Sequence, residues 1–161
     1  MLTECQINRV WQNMLAAEAR SRYFRDLASR YTGRKQWITG LAFFSSSGAA
    51  ATVIGRAPQY VPVILALVVA GLTAYSMAVN LDGKIMIMLK LHSSWARIAS
   101  DYDRLWNHAY DPDDESQFDR IVQSEREPSE LATTDAPNDQ TLLGKWQDRV
   151  FSLYRLTDQH G

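Results

Sequence analysis

Cysteine is all but missing from this chain. Cys5 is the only one in 161 residues. No disulfide can close within the chain, and nothing points to an oxidising compartment. Histidine is scarce too: His92, His108 and His160 are scattered, with no metal-ligand spacing among them. There is no glycine-rich phosphate loop and no cysteine pair. Asp101 and Asp103 lie two apart, which puts them on different faces of a helix. Asp111, Asp113, Asp114 and Glu115 read as a solvated acidic loop that starts a helix, rather than as a cation site. These absences leave no candidate catalytic residues, no metal site and no cofactor, so the expectation is a protein that is not an enzyme. The opening stretch MLTECQINRVWQ lacks the apolar core and small-residue cleavage site of a signal peptide.

Charge is the other missing ingredient, and only locally. The net charge is -1, and the mean hydropathy of -0.27 is that of an ordinary soluble protein. Yet from Trp37 to Leu81 there is one charged side chain, Arg56. Arg56-Ala57-Pro58-Gln59-Tyr60 divides this run into halves of about 18 to 21 residues. A helix rises about 1.5 Å per residue and needs about 20 apolar residues to cross a bilayer core. Both halves reach that length, the first only just. A buried hairpin in a soluble bundle is the alternative, but a chain this short has little other apolar mass to cover two such helices.

The periodicities give an all-α membrane protein in five parts. Residues 1–35 form a basic amphipathic helix in the cytoplasm. Its apolar stripe is Ile7, Val10, Trp11, Met14 and Leu15, then Phe24, Leu27, Ala28 and Tyr31, and it ends at Thr32-Gly33. Residues 36–82 form a two-helix transmembrane hairpin, with spans at about Trp37–Ile54 and Val61–Leu81. Pro62 falls in the first turn of the second span, where its missing N–H costs nothing. Residues 83–110 continue that span as one unbroken helix, carrying Ile85, Met88, Leu89, His92, Trp95, Ala99, Tyr102, Trp106 and Ala109 at a three-four spacing. His92 is a core or interface histidine on this stripe. Residues 111–138 are an acidic segment with ten Asp and Glu against Arg120 and Arg126 up to Gln140. It holds a short helix around Ser116–Gln123 and then a linker. Residues 139–161 are a C-terminal helix striped by Leu142, Leu143, Trp146, Val150, Leu153 and Tyr154. Lys and Arg gather on both outer flanks of the hairpin, which places both termini in the cytoplasm and the protein in the bacterial inner membrane.

Within the spans, small residues recur. Ala66, Ala70, Ala74 and Ala78 make a row on the second helix; Ser47, Ala51 and Gly55 make one on the first. Such rows let helices approach closely in lipid. Beside them run hydroxyl and amide groups: Ser45, Ser46 and Thr52, then Thr73, Ser76 and Asn80. Dry packing, with hydroxyls bonded back to the preceding turn, explains this stripe. So does a water-filled pore, which two helices can enclose only as a homo-oligomer, a tetramer or larger. No carboxylate, lysine or histidine lies in the spans, which argues against proton-coupled transport. The basic helix is a second candidate site. Arg20, Arg22, Arg25, Arg30, Arg34 and Lys35 interleave with Tyr23, Phe24 and Tyr31, a pairing suited to phosphates and stacked bases. Positive-inside topology and anionic lipid headgroups call for the same charge.

The patterns AAEARSRYFRDLASRYTGRKQWITG and HSSWARIASDYDRLW flank the hairpin. Over about residues 10 to 110 this layout resembles the SLATT superfamily of small two-transmembrane-helix bacterial conflict-system effectors. The resemblance implies a growth-arresting pore in an anti-phage (abortive infection) system. Its gate would answer to a nucleotide or short oligonucleotide, or to a partner nucleotidyltransferase. It assigns no ligand residues. The acidic segment and the last helix lie outside it. The rival expectation is a membrane anchor or scaffold that docks a soluble partner and conducts nothing.

Overall fold

The computed structural model describes residues 2–46, 55, 60–108 and 114–158. Among them the secondary structure is 92% helix, with no strand. The six helices are α1 (Glu4–Ser46), α2 (Tyr60–Val79), α3 (Leu81–Asn107), α4 (Asp114–Ser124), α5 (Arg126–Asp135) and α6 (Gln140–Asp158). The chain divides into two compact units: Met1–Leu27 with Met86–Gly161, and Ala28–Ile85.

The first unit is a helical body with a real core. Its first helix starts on a capping box. Thr3 Oγ1 accepts from the Gln6 N–H at 3.3 Å, while Gln6 Oε1 accepts from the Thr3 N–H at 2.8 Å. The start of α1 buries Val10, Met14, Ala17, Ser21 and Phe24, a strict four-three alternation. In α3, Met88, Leu91, Trp95, Ile98, Tyr102 and Leu105 are buried with the same alternation. The two helices run antiparallel within this unit: the Trp11 and Trp106 rings meet at a tilt, 5.0 Å between centres, Asn13 bonds Tyr102, and Ser21 meets His92. Two matched seven-residue repeats thus close on each other like a short coiled coil. Each fully buried large side chain contributes about 1.5–3 kcal/mol.

The seam is turned slightly from the expected one. Met88, Trp95 and Tyr102 are buried as expected, but their partners are Leu91, Ile98 and Leu105, while Leu89 and Trp106 are exposed. His92 and Ala99 fall at the seam's edge, half-buried.

The remaining helices pack on this pair. Phe118 and Ile121 of α4 are buried, with the Phe118 ring 6.4 Å from Tyr102. The expected linker after residue 125 is instead α5. Pro128 does not break this helix, because it lies in the first turn of α5, where no N–H is needed, and is buried there. The Thr133 and Thr134 hydroxyls donate back to the Ser129 and Glu130 carbonyls. Asp139 caps α6, its Oδ1 accepting from the Leu142 N–H at 3.0 Å.

The second unit departs twice from expectation. First, α1 does not stop at Thr32-Gly33 but runs on to Ser46. The Thr32 hydroxyl donates to the Ala28 carbonyl at 2.9 Å, inside the helix. A helical glycine costs about 1 kcal/mol against alanine and stops nothing unless it turns left-handed; no described glycine has positive φ. Second, α2 and α3 are separate. Asn80 breaks them, with φ at 46°. Asparagine tolerates this left-handed conformation because its short amide bonds locally. Its N–H donates to the Met77 carbonyl at 3.2 Å, and its Oδ1 accepts from the Gly83 N–H at 3.3 Å. One residue therefore ends α2 and caps α3. Asp82 and Gly83 serve that cap: Asp82 lies in the favourable first turn and pairs with Lys35. A Cβ on Gly83 would come 2.6 Å from Asn80 Nδ2.

This junction yields a coupled prediction. Asn80→Ala should lower stability by about 1–2 kcal/mol, through the lost cap and the left-handed strain. Gly83→Ala should destabilise the natural chain, but become neutral or stabilising on an Asn80→Gly background, where nothing obstructs the new methyl. Thermal unfolding of the four variants in detergent forms the double-mutant cycle. Additive effects would disprove the cap.

Candidate functional site

The basic face of α1 divides between the two units. In the first unit a cavity of about 510 Å³ opens beside Glu18, Arg22, Arg25, His92, Asp103 and Tyr154. Its charges are partly neutralised. Arg22 pairs with Glu18 one turn away, and the other Glu18 oxygen accepts from the Tyr154 hydroxyl at 2.6 Å. Burial first, and then this bond to a carboxylate, push the Tyr154 phenol up to about 12. Arg25 is exposed at the rim. Ser21 Oγ lies 2.8 Å from His92 Nδ1 and donates to the His92 carbonyl at 3.3 Å. His92 thus latches α3 to α1, an interface histidine as expected.

Tyr23 and Arg20 face other partners. Tyr23 is buried; its hydroxyl donates to the Pro137 carbonyl at 2.5 Å and accepts from the Asp139 N–H at 3.2 Å. The Arg20 guanidinium lies over the Trp95 ring at 4.5 Å. In the second unit, Lys35 pairs with Asp82, Tyr31 is half-buried, and Arg30 and Arg34 are exposed. The six cations therefore do not make one open patch: Arg22 and Lys35 are held by carboxylates and Arg20 covers an indole.

The hairpin residues are seen less completely. Thr52, Ser47 and Ala51 lie outside the described residues, as do the side chains of Ser45 and Ser46 in the last turn of α1. Gly55 is exposed at a turn. Thr73 donates its hydroxyl to the Val69 carbonyl at 2.9 Å, Ser76 is half-buried, and Asn80 is the cap described above. Ala66, Ala70, Ala74 and Ala78 are all exposed on α2. So are Val63, Ile64, Leu67, Val68, Tyr75 and Met77. The helical stretch Ala66–Asn107 is long and apolar enough to cross a membrane, and only 6% of its apolar window is buried. The first half of the expected hairpin runs past Ser46 into residues outside the description. Among the described residues, no group of three His, Cys, Asp or Glu side chains could hold a metal ion.

Sequence reasoning did not anticipate the Arg22–Glu18–Tyr154 chain or the packing of residues 126–138 on α1. The first had a legible trace, since Glu18 and Arg22 are four apart on a helix. The second has none, because the acidic stretch shows no apolar periodicity across residues 126–138.

Tyr154 gives a pH prediction. Its proton is held more tightly folded than unfolded, so its contribution is complete below the ordinary phenol value near 10 and is lost as pH rises toward 12. Tyr154→Phe should flatten the fall in melting temperature between pH 10 and 12, relative to the natural chain. An unchanged slope would remove the Tyr154–Glu18 bond from the account. No family model, curated protein or solved structure matches the chain, so function has to be argued from these residues and from the layout of the helices.

Proposed function

We propose that the chain is the subunit of a homo-oligomeric pore in the bacterial inner membrane, the growth-arresting effector of an anti-phage system. In this reading the hairpin of residues 36–82 crosses the bilayer twice, and both termini are cytoplasmic. A nucleotide or oligonucleotide signal, or a partner nucleotidyltransferase, sets the gate, as the SLATT resemblance implies.

One observation carries the membrane part. The core helix of a soluble protein buries its apolar side chains, whereas the apolar window within Ala66–Asn107 is 6% buried. Val63, Ile64, Leu67, Val68 and Met77 stand exposed in a chain whose other unit has a well-formed core. A patch of this kind needs a cover, and lipid or another copy of the same helix supplies one. The exposed alanine row from Ala66 to Ala78 favours close contact between copies.

A specific observation favours the rival scaffold. The Thr73 hydroxyl is bonded to its own helix, as dry packing requires. The two readings part on ion flux through liposomes holding the purified protein, with and without added oligonucleotides. The pore reading expects flux that Thr73→Leu and Ser76→Leu together reduce at least tenfold while the oligomer persists. Asn80 is unsuited to this test, because replacing it removes the helix cap. Similarly, Arg25→Glu probes the signal more cleanly than Arg22→Glu, which would set two carboxylates side by side at Glu18. No flux from inserted, oligomeric protein would leave the scaffold standing.

A further inference from the structure

The first unit contains a second cavity, of about 340 Å³, whose chemistry differs from that of the first. Arg20, Tyr23 and Phe24 of α1, Trp95 of α3, Thr133 of α5 and Asn138 form its main walls. No carboxylate is among the lining residues. Trp95 is 1% exposed, yet its indole N–H meets no acceptor among the described residues. A buried donor without an acceptor is costly, and native proteins rarely leave one unused. The Arg20 guanidinium covers one face of the same indole, 4.5 Å from the ring centre, and no carboxylate among the described residues pairs with it. The Tyr23 hydroxyl is satisfied by Pro137 and Asp139. The cavity is therefore lined by a cation and flat apolar side chains, with an unused N–H donor buried in its Trp95 wall.

An occupant that complements these groups must bring acceptors, negative charge and a ring. Size bounds it further. Pockets that hold a drug-sized ligand run from about 300 to 1,000 Å³. This one is at the lower end, room for one ring system with one anionic group and too small for a chain of nucleotides. We propose that the cavity binds a small flat anion, no larger than a single nucleotide, whose acceptor meets the Trp95 indole N–H and whose charge meets Arg20. Binding would tie α5, through Thr133, to α1 and α3. That this ligand acts as a gating signal rests on the pore reading; the binding itself does not.

Calorimetric titration of the full chain in detergent tests this with two probe sets. One is the four common nucleoside monophosphates; the other is benzoate and indole-3-carboxylate. Inorganic phosphate and the neutral nucleosides serve as partial ligands. At least one flat anion should bind, with phosphate alone and the matching neutral nucleoside at least tenfold weaker wherever the binder is a nucleotide. Which set binds tells a phosphoryl from a carboxylate source, and either supports the site. Trp95→Phe keeps a ring and removes the N–H. It should weaken binding at least tenfold while leaving the unliganded melting temperature unchanged or higher. Arg20→Gln should weaken binding as much, and it decides the matter if Trp95→Phe does not fold. The proposal is overturned if no probe binds, or if phosphate binds as tightly as the nucleotide. It is also overturned if Arg20→Gln and a folded Trp95→Phe both bind normally, including the case where Arg25→Gln abolishes binding and places the ligand in the other cavity. Normal binding in a protein that conducts nothing would retire the pore and keep the site.

Discussion

Two helices pressing one seven-residue repeat against another hold the first unit together. Val10, Met14, Ala17, Ser21 and Phe24 of α1 and Met88, Leu91, Trp95, Ile98, Tyr102 and Leu105 of α3 are the two buried stripes. Ala17, Ala19 and Ser21 keep the α1 side thin, so Trp95 and Tyr102 can be buried whole. Burying those rings then forces the polar details. The Tyr102 hydroxyl needs partners, and takes Asn13 on α1 and Glu125 after α4. His92, at the seam's edge, finds Ser21. The indole N–H of Trp95 finds no described acceptor. Both cavities are lined by residues of the two seam helices, Arg20 and Trp95 in one and Arg22 and His92 in the other.

The second unit obeys the opposite rule. Its α2 keeps large apolar side chains exposed along its length, while the first unit buries a core that includes Met14, Trp95, Tyr102 and Val150. Marginal stability in water does not tolerate such a surface without a cover. Lipid removes the penalty and also removes the hydrophobic drive for helix pairing, which leaves small-residue rows as the means of association. The alanine row of α2 fits that need.

Much of this is legible in the sequence, because helical periodicity and missing charge are strong signals. The α1 and α3 stripes, α4 around Phe118 and Ile121, and α6 around Leu142 and Val150 follow from spacing alone. What misleads is punctuation. Thr32-Gly33 resembles a helix stop, yet nothing there adopts the left-handed backbone that would make it one. Asn80 does adopt it, and the hint is an asparagine three residues before a glycine, where polarity alone suggests only a place on the hydroxyl and amide stripe. Pro128 looks like a breaker but sits where prolines start helices. The candidate ligand face suffered for the same reason. With residues 126–138 taken as linker, the wall that encloses Tyr23, Arg20 and Trp95 could not be foreseen, and the cations of α1 looked more open than they are.

The account turns on where α2 resides. Spin labels placed singly along residues 63–79, on a chain with Cys5→Ser, report accessibility to oxygen, which enriches in lipid, and to a water-soluble nickel chelate. The account predicts oxygen-accessible, chelate-protected labels at Leu67 and Val68, with chelate access confined to the Thr73 and Ser76 face. Chelate access all round the helix would mean that α2 does not lie in the bilayer, and would contradict the account at its base.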